Sequence, residues 1–293
     1  MNFRKILKAV IVLCVLGGMI FKVGILIANG DKDLDIYEPV SGKNQVIPLN
    51  YHYIRERNLW NTALDVTTQN KEITTYTVYE DTFIEQIDTL IEQGAYFATL
   101  EEVNGFIDTG EFPDKCVWLS FDDADISVYK KAFPILKERN IPFTMFVIVG
   151  QVGSDDFSNL EICNWDELLE MKDSGLVSFG THTYDMHYIE GNVPVFHHPY
   201  NYEKFYEDSL KSKKVLEDKL GVKVDSIAYP FGETNDELTE IVKRAGFKKA
   251  YILSPHVIDE SCDDYNLNRY LLSRNNFDLI GLNDIDGNNK IEE

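Results

Sequence analysis

Hydrophobic and polar positions along this chain follow two rhythms. Short apolar runs rich in β-branched and aromatic residues fall at 46–53 (VIPLNYHY), 96–100 (YFATL), 116–121 (CVWLSF), 142–149 (PFTMFVIV), 176–180 (LVSFG), 226–230 (SIAYP), 248–253 (KKAYIL) and 268–273 (NRYLLS). Their length and bounding turn residues predict strands. Between them the period lengthens to that of a helix. Phe83, Ile84, Ile87, Leu90 and Ile91 recur at helical spacing, as do Val128, Ala132, Ile135 and Leu136, and again Leu238, Ile241, Val242 and Ala245. Asn164 with Glu167 reads as a capping box, and Gly94, Gly221 and Gly246 read as helix stops.

Strand–helix alternation over roughly 240 residues predicts an α/β fold: a distorted (β/α) barrel of about seven parallel strands. One hydrophobic segment precedes it. Arg4, Lys5 and Lys8 lead an uncharged run from Ala9 to Phe21, and Lys22 is followed by Val23 to Ala28. Residues 1–28 are therefore expected to be a membrane anchor or signal segment, with the basic end inside and the following chain exported to the cell surface. The polar, turn-rich stretch 29–44 reads as a linker, 45–283 as the folded domain and 284–293 as an acidic tail. In that tail, "DIDGNNKIEE" matches the start of a calcium loop, with Asn289 where glycine is usual and no twelfth-position Glu.

Charge and cysteine content exclude several functions. A formal net charge of −21 argues against nucleic-acid binding, which needs basic patches. Of the four cysteines, Cys14 lies in the hydrophobic segment, and Cys116, Cys163 and Cys262 have no C-x-x-C partner, so neither a thiolate metal site nor a disulfide framework is expected.

In parallel α/β sheets, functional residues collect where strands end. His52 ends the first run, "DDAD" (122–125) follows the third, "HTYDMH" (182–187) the fifth and "YPFG" (229–232) the sixth. A separation of five would set His182 and His187 about 140° apart on one helix, so a curved loop must carry them. Two imidazoles and one carboxylate make a three-ligand set with open positions, as in a catalytic divalent-metal site. A cation on Asp123 also relieves the repulsion within the acidic run and leaves Asp122 as a base. Asp125 has no assigned task. The 188–201 stretch, with His197 and His198, reads as a mobile loop. Trp60, Tyr184, Tyr188, Phe196 and Tyr200 are candidate sugar-stacking aromatics.

"SFDD", "HTYDMH" and "YPFG" resemble the successive signatures of the polysaccharide deacetylase family, the NodB-homology or carbohydrate esterase 4 group. "SVYKKAFPILKERNIPFTMFVI" and "FGTHTYDMH" are similar to its biofilm branch, which acts on poly-β-1,6-N-acetyl-D-glucosamine, and the similarity runs from about Val46 to Leu272. The resemblance implies metal-dependent N-deacetylation at the cell surface, releasing acetate. It implies Asp122 as general base, His52 as acid, and Asp123, His182 and His187 as ligands of zinc, with nickel, cobalt or iron as alternatives. The backbone N–H of Phe231 would serve the oxyanion. Where common members carry an Arg to tune the base, this chain has Ala228, and Arg269 is the candidate replacement, with a structural ion pair as its other reading. The implied partners are an N-acetylglucosamine polymer, the membrane, and machinery that makes or exports the polymer.

Three other readings stay open at this stage. The substrate could be peptidoglycan or chitin oligomers; the domain could bind glycan without cleaving it; or "DADIS" (123–127) could open a haloacid-dehalogenase-like phosphatase, with its first Asp as nucleophile.

Overall fold

Each of the eight apolar runs contributes a strand to one sheet. The computed structural model describes residues 44–57, 75–273 and 277. The sheet comprises β1 (Val46–Tyr51), β4 (Tyr96–Ala98), β5 (Cys116–Phe121), β6 (Phe143–Val147), β7 (Val177–Thr181), β10 (Ser226–Ala228), β11 (Lys249–Tyr251) and β12 (Tyr270–Leu271), all pairing in parallel. The order is β11-β10-β7-β6-β5-β1-β12, with β4 beside the first half of β5. These seven strands curl, and the chain entering β12 closes the curl: Leu267 donates to the Ala250 carbonyl and accepts from Ile252 N–H, and Arg269 accepts from Ser254. The expected barrel is thus present, with a seam where β11 meets the 267–271 segment.

The helices cover the outer face. They are α1 (Glu80–Glu92), α2 (Leu100–Thr109), α3 (Phe133–Glu138), α4 (Trp165–Asp173), α5 (Tyr202–Leu220) and α6 (Asp236–Arg244). A wide π turn, Val128–Ala132, leads into α3, and α4 opens on the capping box of Asn164 and Glu167. Two short parallel strands, β2 (Tyr53–Arg55) and β3 (Thr77–Tyr79), form a separate pair beyond the end of β1, and β8 (Ile189–Glu190) with β9 (Val193–Pro194) makes a hairpin within 188–201. Apolar periodicity did not show β2, β3, α2 or α5, since the strands are three residues long and α5 is mostly charged, but Gly221, expected to stop a helix, does end α5.

Alternation along the strands divides the core. On β5, Val117, Leu119 and Phe121 pack with the helices, whereas Cys116 and Trp118 join Phe146, Tyr251 and Leu267 on the opposite face. Farther along that face the side chains turn polar: Asn50 donates to Ser120 (3.2 Å) just before Asp122. Gly180 makes room for this arrangement, since a Cβ there would stand 2.4 Å from the Phe146 ring. Cys116 and Cys163 are buried, as expected of small hydrophobes, and Cys262 is half-buried; all three are free thiols.

No helix among the described residues is long and apolar enough to cross a membrane. The hydrophobic segment at 1–28, Cys14, Trp60 and the acidic tail at 284–293 lie outside the described residues.

Candidate metal and catalytic centre

The strand ends meet at one rim. After Phe121 the chain makes a three-residue turn in which Ala124 N–H returns to the Asp122 carbonyl (2.9 Å), with φ of 69° at Asp123 and 64° at Ala124. Two successive non-glycine residues in the left-handed region are strained, and such strain persists only where the surroundings over-determine it. Here the restraint comes from Asp125, which accepts a guanidinium fork from Arg55 (2.7 and 3.0 Å) and the Ser127 N–H (2.9 Å). Asp125 therefore has a structural task that spacing alone did not reveal.

Asp122 is 1% exposed and fully paired. Arg269, itself wholly buried, donates to both oxygens at 2.6 and 2.9 Å, and His52 Nε2 lies 3.9 Å from Oδ2. Burial alone would raise the Asp122 pKa; Arg269, with smaller help from His182 and His52, more than reverses this and holds the carboxyl below the usual range. Arg269 reaches the site from the closing seam, whereas Ala228 uses its carbonyl to accept from His182 Nδ1 (2.8 Å). The His52 pKa is lowered: burial is the largest cause and Arg269 adds to it, with Asp122 and Asp123 offsetting only part.

The next residue has a different environment. Asp123 Oδ2 accepts from Tyr53 O–H (2.8 Å), but Oδ1 is buried with no hydrogen-bond partner. It faces His182 Nε2 at 3.6 Å and His187 Nε2 at 3.4 Å. With Nδ1 of His182 committed to Ala228 as a donor, Nε2 is left as a lone pair. Burial pushes both imidazoles down to about 4, so both are neutral at neutral pH. Oδ1 and the His182 Nε2 lone pair thus converge with His187 Nε2, which offers a lone pair in the tautomer that carries its proton on Nδ1. That arrangement suits a cation, and Asp123, His182 and His187 are the one set among the described residues whose ligand atoms gather within 4.8 Å.

As expected, a curved loop carries the two histidines, and two elements clamp it. Asp208 on α5 accepts from the N–H groups of Tyr184 (2.7 Å) and Asp185 (2.8 Å), and burial raises its pKa to about 6. On the other side, Val149 and Gly150 donate to the carbonyls of Thr183 and Tyr184. Gly150 admits this close approach: a Cβ there would meet the Tyr184 carbonyl oxygen at 2.4 Å. Neither Asp208 nor Gly150 carried a sequence signal, because each acts on backbone far away in the chain.

Phe231 sits in the turn Pro230–Gly232 with φ of 62°, its ring 4.6 Å from that of His187. Of the candidate sugar-stacking aromatics, Phe196 is fully buried against Phe205 and is core packing, while Tyr188 and Tyr200 are exposed on the 188–201 segment. His197 and His198 point their Nε2 atoms to the carbonyls of Glu233 and Glu190, so each is used separately.

Comparison with known proteins gives consistent matches. The model of the family described as "Polysaccharide deacetylase" matches residues 109–250. A Staphylococcus aureus (strain MRSA252) protein named poly-beta-1,6-N-acetyl-D-glucosamine N-deacetylase is 34% identical over 283 residues, covering 96% of each chain. The protein of the same name from Staphylococcus epidermidis is 33% identical over 239 residues, covering 81% of this chain and 82% of that one. Among solved structures, IcaB from Ammonifex degensii superposes with a TM-score of 0.73 at 31% identity, covering 83% of this chain and 98% of that one.

Proposed function

This chain belongs to the polysaccharide deacetylase family, and on that premise we propose that it N-deacetylates poly-β-1,6-N-acetyl-D-glucosamine at the cell surface, releasing acetate. It is a hydrolase acting on amide bonds. The observation that carries the reading is the orphaned Oδ1 of Asp123, facing two neutral imidazoles one residue from an ionised, buried carboxylate.

In this reading Asp123, His182 and His187 hold a divalent cation, most simply zinc, which accepts mixed nitrogen and oxygen ligands and tolerates open positions. When bound, the cation supplies a Lewis acid that polarises the acetamide carbonyl and makes water more acidic. Asp122 takes the proton from the attacking water. Its low pKa makes it a weak base that is always ionised, and Arg269 fixes its direction. The backbone N–H of Phe231 donates to the developing oxyanion. His52, when protonated, passes its proton to the departing amine; its place 3.9 Å from Asp122 supports this role. The products are acetate and a glucosamine unit that becomes cationic. The basic and apolar N-terminal segment supports export and membrane attachment, where the machinery that makes or exports the polymer would be the partner.

The haloacid-dehalogenase-like reading falls, since family membership is that of a deacetylase and Asp123 faces two histidines. The test is acetate release from poly-β-1,6-N-acetylglucosamine oligomers, with zinc added or chelated. Metal-dependent release is expected. Release from chitin or peptidoglycan fragments alone would keep the chemistry and overturn the substrate, and binding of glycan and metal with no release from any of them would make the domain a binding module.

A further inference from the structure

Asp122, Asp123 and Asp125 each meet a side chain that lies 70 positions earlier. His52 faces Asp122 at 3.9 Å, Tyr53 donates to Asp123 at 2.8 Å and Arg55 forks onto Asp125 at 2.7 and 3.0 Å. Ile54 adds a backbone N–H to Ser127 Oγ (3.0 Å), so the segment 52–55 lies along the acidic run as a matched strip. His52 and Arg55 have evident tasks in it. Tyr53 does not, because neither family resemblance nor spacing assigned it one.

Resting on the cation site proposed above, we propose that Tyr53 is a positioning residue that reserves Oδ1 of Asp123 as the single carboxylate oxygen offered to the cation. A carboxylate with two free oxygens can chelate an ion through both or swing between them. A phenol O–H on Oδ2 leaves one oxygen, aimed at the point where the two Nε2 atoms converge. A tyrosine hydroxyl is protonated at neutral pH and the carboxylate oxygen can only accept, so Tyr53 is the donor. The donor is also held in place. The Tyr53 ring stands 5.1 Å from the Arg55 guanidinium, the rings of His52 and Tyr76 flank it at 5.8 and 6.4 Å, and β2 is paired with β3. On the acceptor side the strained turn at Asp123 fixes the carboxylate. Both partners of the hydrogen bond are therefore set before any ion arrives, which is how outer contacts tune a metal ligand.

Tyr53→Phe removes the O–H and keeps the ring. The experiment loads the full-length protein, the Tyr53→Phe variant and the Asp123→Asn variant with Co²⁺, reading affinity by competition with a chromophoric chelator and ligand geometry by the visible cobalt bands. Circular dichroism monitors folding. The expected result is a folded Tyr53→Phe protein with affinity lowered about 10–100-fold and shifted cobalt bands. Unchanged affinity and an unchanged spectrum in Tyr53→Phe, beside a clear loss in Asp123→Asn, would overturn the role of Tyr53 alone. Wild-type protein that binds no cobalt, or Asp123→Asn that binds it as well as wild type, would remove the cation site and this inference with it.

Discussion

Asp122 and Asp123 are adjacent in sequence, buried to nearly the same degree, and served by different kinds of partner. Around Asp122 the protein supplies a complete counter-charge: one guanidinium satisfies both oxygens with good geometry. Around Asp123 it supplies a single neutral donor and leaves the other oxygen without a hydrogen bond, facing two imidazole nitrogens. A buried carboxylate is tolerated only when its charge is answered. The first is answered by the chain itself, and the second is arranged to suit a cation. A run of like charge at a strand end thus splits into a self-sufficient half and a half suited to an ion.

Substitutions should separate the halves. The largest effect is expected on the Asp123 side, where Asp123→Asn or His182→Ala loses both bound metal and acetate release down to background, as measured by metal content and product assay. Asp122→Asn should lower turnover by about 10²–10⁴-fold, the usual weight of a general base, while metal content stays at the wild-type level. A parallel loss of metal in Asp122→Asn would merge the two halves and defeat the comparison.

Arg269→Met tests self-sufficiency through stability. Removing the guanidinium strands a buried charge, and breaking such a pair costs about 3–5 kcal/mol, readable by denaturant unfolding at neutral pH. The pH dependence should also change sign. In the wild type the folded Asp122 pKa is depressed, so its stabilising contribution is present above the unfolded carboxylate value of about 3.9 and is lost as pH falls below it. Without Arg269, burial governs and raises that pKa, so Asp122 in the variant adds stability as the solution is acidified and the carboxyl takes a proton.

The smallest effect is expected at Asp208. Its folded pKa of about 6 is raised by burial, so its contribution is fully present below the unfolded value of about 3.9 and is lost as pH rises through 6. Asp208→Asn should flatten that segment of the stability profile. It should also loosen the histidine loop by about 1.5–3 kcal/mol, the value of a hydrogen bond to a charged group, and weaken metal binding less than Tyr53→Phe does.

The barrel and the rim were legible because short continuous apolar runs mark where strands stop, and His52, Asp122, Asp123, His182 and His187 all stand at or beyond such stops. Arg269 could be named from family pattern but not placed, since its approach depends on how the last strand closes the sheet. Tyr53, Arg55 and Asp208 escaped notice, and Asp125 was left without a task, for a shared reason. Each matters through a partner tens of residues away or through a backbone group, and a hydrogen bond to distant backbone leaves no trace in local composition. Phe196 misled because an aromatic near the rim in sequence lies in the core in space.

The seam has a consequence for the order in which this molecule comes to life. Asp122 is made 147 positions before the arginine that answers its charge, and the segment carrying that arginine, just before β12, is also the one that shuts the barrel. A nascent chain that emerges N-terminus first holds every candidate metal ligand and the candidate base well before it holds Arg269. Closing so long a loop is a slow, late step in folding. Pairing of the Asp122 carboxylate is therefore tied to completion of the chain, and a product truncated before Leu267 would carry the candidate ligands around a barrel that never closes.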